Sequence, residues 1–213
     1  MPLEEAARYA LLRRLAPAIR HHMVGEFQPI GMIASMMDRR LQAAEPNLVT
    51  VRENCASLTT LSRSAALTCM DLMTWIAPRS DDSITVAAGV AECLSLLSTE
   101  LRFKGVVVIN DIAENGELVR KAAIRNVLCA AMMATGDSLH APADMALSTQ
   151  SLPGGVQLCI DLRPAERAHE GQPSSEYRAL LWQDLELLAA AESVRVTRAD
   201  GQTRLLFPHA TPA

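Results

Sequence analysis

Apolar side chains recur along the first forty residues at alternating steps of three and four: Leu12, Ala16, Ile19, Met23, Phe27, Ile30, Ile33 or Ala34, Met37 and Leu41. That spacing lines one face of a helix and predicts a single long helix from about Glu4 to Leu41. Pro17 and Pro29 fall inside it and are expected to kink or loosen it. A polar break, Ala44-Glu45-Pro46-Asn47, follows, with Asn47 placed to cap the next helix. The second stripe reads Leu48, Val51, Cys55, Leu58, Leu61, Ala65, Cys69, Leu72 and Ile76. Helices joined by so short a break lie antiparallel. Each is far longer than the roughly 11–12 residues of an average helix. A lone hairpin buries one face of each helix only, so the two stripes predict a four-helix bundle completed by a second copy of the chain, a homodimer.

The pattern then changes. The polar segment Ala77-Pro78-Arg79-Ser80-Asp81-Asp82-Ser83 reads as a boundary, which gives a helical hairpin over 1–78 and a mixed α and β domain over 83–213. In the second part a helix is expected from Val86 to Phe103 and a buried strand over Val106-Val107-Val108-Ile109. A helix from about Glu117 to Thr135 comes next. Gly154-Gly155 reads as a tight turn into a strand over Val156–Leu162. The polar stretch from Arg163 to Ser175 reads as a mobile loop, and a helix is expected from Ser175 to Ala191. Asp200-Gly201 between Val194–Thr197 and Arg204–Phe207 is a hairpin signal. The fold class is therefore α+β.

Composition narrows the function. Apolar residues make up 49% and aromatics only 3%, which suits packed helices. The net charge of −4 comes without a basic stripe, so no nucleic-acid partner is expected. No secretory signal pattern and no membrane-spanning run are expected, which points to the cytoplasm and to no membrane partner. Cys55, Cys69, Cys93, Cys129 and Cys159 lack metal-ligand spacing, and each falls in an apolar run where a reduced, buried thiol is the usual outcome.

The segment that carries chemistry is Arg20-His21-His22-Met23-Val24-Gly25-Glu26-Phe27-Gln28-Pro29-Ile30. A helix turns about 100° per residue, so His21 lies about 160° from Met23 at the centre of the stripe, and His22 about 100° from it. His21 therefore faces solvent and His22 borders the bundle. Ala18 and Gly25 are small and leave room for a partner surface beside His21. Gly25 costs a helix about 1 kcal/mol against Ala, so its presence asks for a reason. A neutral imidazole can attack an acyl phosphate and carry the phosphoryl group as a phosphoramidate. Glu26 is placed to orient a histidine ring, and Arg20 to hold phosphoryl oxygens. Gln28 lies on the same approach surface. Taken alone, two adjacent histidines on a helix are also what an incidental surface pair looks like.

In this register the sequence resembles the bacterial histidine kinases. The local match is to histidine phosphotransferases of the ChpT type, whose first helix carries a motif of the form HDLVGPxxAI. His21 falls on the phosphoacceptor, His22 where the family has an acid, and Glu26 where it often has proline. A kinase motif like RHDFxNxLQVI gives the same register through Arg20, Phe27, Gln28 and Ile30. The resemblance implies a dimeric hairpin followed by an ATPase-like α/β sandwich. It also implies a receiver-domain partner that brings the Mg²⁺. The ATP motifs are missing. Ala134 or a neighbour stands where an Asn should hold Mg²⁺, neither Asp137 nor Asp161 is followed by the expected glycines, and no Gly-rich lid is present. No ATP binding and no resident cofactor are expected. Three readings follow: a histidine phosphotransferase acting through His21, a non-catalytic dimeric pseudokinase that sequesters a receiver or a kinase, and a divergent active kinase.

Overall fold

The computed structural model describes residues 3–79, 82–114, 116–165, 177–199 and 201–210. It divides into two compact units, Ala16–Ala77 and Met1–Leu15 with Pro78–Ala213. The first helix is shared between them: its opening turns group with the second unit, whereas the sequence pattern places them with the hairpin.

The first unit is helical. α1 (Leu3–Leu41) runs unbroken through both prolines. α2 (Leu48–Ile76) starts where expected: the Asn47 side chain accepts from the Thr50 N–H at 3.1 Å. The half-buried or buried line is Ile19, Met23, Glu26, Ile30, Ile33 and Met37 on α1, and Val51, Asn54, Leu58, Leu61, Ala65, Thr68, Leu72 and Trp75 on α2. Six expected stripe members are exposed: Ala16, Leu41 and Leu48 toward the ends of this unit's helices, and three others that sit one residue off the line. Phe27 is 49% exposed and gives way to Glu26, Ile76 is exposed and gives way to Trp75, and Cys55 is exposed and gives way to Asn54. Neighbouring positions on a helix differ by only about 100°, so near the stripe edge the pattern alone does not choose between them. The expectation that every cysteine is buried holds for Cys93 and Cys129. It fails for Cys55, and Cys69 and Cys159 are half-buried. Among the described residues of this unit only Ala65, Leu72 and Trp75 are buried.

The second unit is α+β. β1 (Ser83–Thr85) pairs with β3 (Leu118–Arg120), and α3 (Val86–Phe103) follows β1 directly, capped by the Thr85 hydroxyl. β2 (Val106–Asn110) leads through β3 to α4 (Lys121–Ala123), a π-helical turn (Ile124–Leu128) and α5 (Cys129–Asp137). Then come β4 (Ala143–Leu152), β5 (Gly155–Pro164), α6 (Trp182–Ala191), β6 (Arg195–Ala199) and β7 (Gln202–Pro208). The five-stranded sheet has the order β2-β4-β5-β7-β6, parallel only between β2 and β4. Alternate residues Met145, Leu147, Val156, Leu158, Ile160, Leu205 and Phe207 are fully buried, and the buried sides of α3, α5 and α6 complete that core. The polar alternates Gln157, Asp161, Gln202 and Arg204 take the other face.

Three expectations change here. The helix expected from Glu117 starts at Lys121, because Val119 is buried in the short strand pair opposite Ile84. The helix expected from Ser175 starts at Trp182. The amides of Leu180 and Leu181 are tied to the carboxylates of Asp137 (2.8 Å) and Asp184 (2.9 Å) instead of continuing a helical ladder. β4 was not anticipated at all. Most of the loop expected over 163–175 lies outside the described residues. The Gly154-Gly155 turn is present, and Gly155 has φ 153°, where a side chain would meet the Phe207 carbonyl.

Candidate functional site

His21 and His22 are both exposed on the middle of α1. Around His21 the helix presents Ala18, Val24, Gly25 and Gln28, all within about 60° of it by helical geometry. A Cβ at Gly25 would meet nothing within 4 Å, so that surface is open. Pro29 has no N–H to give the Gly25 carbonyl, which leaves a backbone acceptor one turn from His21. Arg20 and Gln28 are exposed, and Ala18 and Glu26 half-buried. Glu26 lies on the half-buried line with Met23 and Ile30. It is about 140° from His21 but only about 40° from His22, so it is the neighbour of the second histidine. Val24 (55% exposed) and Phe27 add apolar surface beside the histidines. Sequence reasoning passed over Val24 and assigned Phe27 to the core.

In the second unit the positions considered for nucleotide chemistry are otherwise engaged. Ala134 is buried. Asp161 accepts from the Gln202 amide at 2.5 Å. The Asp137 carboxylate is almost fully buried. It accepts from Arg14 at 2.8 and 3.2 Å and from the Leu180 N–H, and it is in close contact with the Lys104 ammonium. Arg14 also pairs with Glu100 through Nε (3.0 Å) and Nη2. A second buried acid, Glu192, takes Arg8 and Arg120 at 3.3 Å each and the Asn126 amide at 2.9 Å. The cavity beside Asp137 measures about 120 Å³ and is lined by Ala134, Thr135, Ser138, Leu180, Trp182 and Arg198 among others. Among the described residues no cluster of His, Cys, Asp and Glu is suited to a metal ion, and no helix is long and apolar enough to cross a membrane.

Burial, and secondarily the Arg14 charge, lowers the Lys104 amine to about 8, with Glu100 opposing. The unfolded chain holds this proton to near the usual lysine range. Between pH 8 and pH 10 the unfolded state therefore binds more protons, and stability rises with pH. Relative to Lys104→Met, the native chain is expected to gain up to about 1 kcal/mol per pH unit over that window in urea unfolding. A pH-independent difference between the two would show that Lys104 keeps an ordinary proton affinity.

The fold defines the class: an α+β protein with a helical N-terminal part followed by a mixed sheet. No family model matches the chain, and no curated protein matches it either. Among solved structures it is similar to the Acinetobacter baumannii histidine kinase AdeS at 15% identity and a TM-score of 0.45, over 84% of this chain and 94% of that one. It is similar to a bacterial phosphotransferase at 10% identity and a TM-score of 0.40, over 92% and 95%. It is also similar to the histidine kinase ThkA in complex with the response regulator protein TrrA, at 11% identity and a TM-score of 0.45, over 96% and 63%.

Proposed function

We propose that the chain is a histidine phosphotransferase of a two-component phosphorelay, passing phosphoryl between His21 and a receiver-domain aspartate. The observation that carries this reading is an exposed histidine on a long helix, flanked by Ala18 and an open Gly25, where a partner surface can approach. A ring nitrogen of neutral His21 attacks the phosphorus of the aspartyl phosphate. The N–P bond forms as the P–O bond to the carboxylate breaks. The carboxylate leaves with the bonding pair, and the proton on the other ring nitrogen passes to solvent. The receiver supplies the Mg²⁺, so this chain needs no ligand set of its own. Arg20 is placed to meet phosphoryl oxygens, and Glu26 to orient His22. The second copy of the chain covers the hairpin's apolar sides, which leave only three side chains buried in that unit. The second unit binds no ATP in this reading. Asp137 is held by Arg14 and Lys104, and neither it nor Asp161 is followed by the glycines of a nucleotide-binding box.

Exposed Val24 and Phe27 also suit the alternative in which the hairpin holds a receiver or kinase without transfer. The deciding experiment mixes the chain with a receiver carrying ³²P on its aspartate. Label is expected on the native chain and none on His21→Ala. Equal labelling of the two proteins, or no labelling of either, overturns the phosphotransfer reading.

A further inference from the structure

Gly25 and Pro29 belong to the two residue types least suited to a helix interior, yet they stand one turn apart just after His21, and α1 runs through them unbroken. Each removes something different from the same spot. Pro29 has no N–H, so the Gly25 carbonyl receives no helical hydrogen bond. Gly25 has no side chain, is exposed, and a Cβ built there would meet nothing within 4 Å. Elsewhere in the hairpin hydroxyls give carbonyls one turn back an additional donor: Ser35 to Gly31 at 2.9 Å, Ser57 to Glu53 at 3.1 Å and Thr59 to Cys55 at 3.0 Å. At Gly25 the residue one turn on is Pro29, which supplies neither an N–H nor a hydroxyl. Pro17 frees the Arg13 carbonyl in the same way, but residue 13 carries a long side chain held over the rings of Tyr9 and Tyr177.

We propose that the Gly25 carbonyl accepts a hydrogen bond from an N–H of the receiver, so that Gly25 and Pro29 together seat the partner beside His21. The proposal rests on the reading that a receiver docks at His21.

Residue 25 lies about 40° around the helix from residue 21 and about 6 Å along it. A partner that brings its aspartate to His21 therefore covers the Gly25 carbonyl as well. Covering it without a donor would forfeit the hydrogen bond that water gives it, and a receiver N–H replaces that water. The acceptor is backbone, already fixed by the helix, so it orients the partner without the loss of freedom that a long side chain such as Gln28 would suffer. A side chain at position 25 would close the approach. An N–H at position 29 would draw the carbonyl along the helix axis and share it.

The test uses the full chain grown with glycine carrying ¹³C at its carbonyl, with the Gly25 signal identified by its loss in Gly25→Ala. Adding unphosphorylated receiver is expected to move the Gly25 carbonyl signal downfield, while that of Gly31, already held by Ser35, stays in place. Pro29→Ala should unfold at a higher urea midpoint, because it returns a helical hydrogen bond, and yet raise the receiver dissociation constant about fivefold, as for one neutral hydrogen bond. A variant that is more stable and docks worse has not failed to fold. A Gly25 signal that stays put as the receiver binds, native affinity for Pro29→Ala, or a receiver that does not bind at all overturns the proposal. If the ³²P assay gives no label while the Gly25 signal still moves, phosphoryl transfer falls and this contact stands.

Discussion

Arg14→Ala is expected to lower the unfolding free energy by about 3–5 kcal/mol, the usual cost of removing one member of a buried ion pair. Arg14 is 3% exposed, and its guanidinium bridges Glu100 and Asp137, two acids on different helices. Without it, Asp137 keeps Lys104 and the Leu180 N–H, but Glu100 keeps only a 4.0 Å contact with Lys104. The excess negative charge would then sit where water enters poorly. The half-exposed Arg8–Glu4 pair, about two to three helical turns back along α1, makes the contrast. Glu4 is partly in water and Arg8 keeps Glu192, so Glu4→Ala should change stability by less than about 1 kcal/mol. Arg14→Lys should fall between, because it keeps the charge and loses the fork that meets two carboxylates at once. Urea unfolding followed by circular dichroism checks all three. A loss below about 1 kcal/mol for Arg14→Ala would mean that the acids rehydrate freely and that the network does not hold the opening turns of α1 in the second unit.

Gly25→Trp is expected to weaken receiver docking about 100-fold, roughly 2.7 kcal/mol, while leaving the fold intact. A side chain at this position meets nothing within 4 Å in the chain itself, so the fold gives it room. Any partner that approaches His21 meets it at once, since residue 25 lies about 40° from residue 21 and one turn along. His21→Ala removes the nucleophile but little surface, so docking should stay within a few-fold of native while transfer is lost. Titrating both variants against an unphosphorylated receiver, alongside the ³²P assay, separates transfer from sequestration. Sequestration requires that His21→Ala behave as the native chain in every measurement. Native docking by Gly25→Trp would show that the partner lands elsewhere.

The sequence alone determined much of this protein. The three-and-four spacing of apolar residues and a single Asn cap were enough to place α1 and α2, because helix geometry translates spacing into a face without reference to the rest of the chain. The same local rules placed α3, β2 and the closing hairpin, and they put His21 on the exposed side of its helix. Other features were decided only by tertiary structure. Whether Glu26 or Phe27, and Asn54 or Cys55, take the covered line depends on which way each helix turns toward its surroundings. β4 lacks a clean alternation, and its existence depends on β2 and β5 supplying partners on both sides. The start of α6 depends on Asp137, which lies 43 residues before Leu180. Arg14 carries no signal in its own neighbourhood: it reads as one more basic residue on an amphipathic helix. Only the fold, which brings it to Asp137 across 123 residues, turns it into the centre of a buried charge network. Local pattern reports a residue's own helix or strand, and the energy of a buried charge lies in what the rest of the chain sets against it.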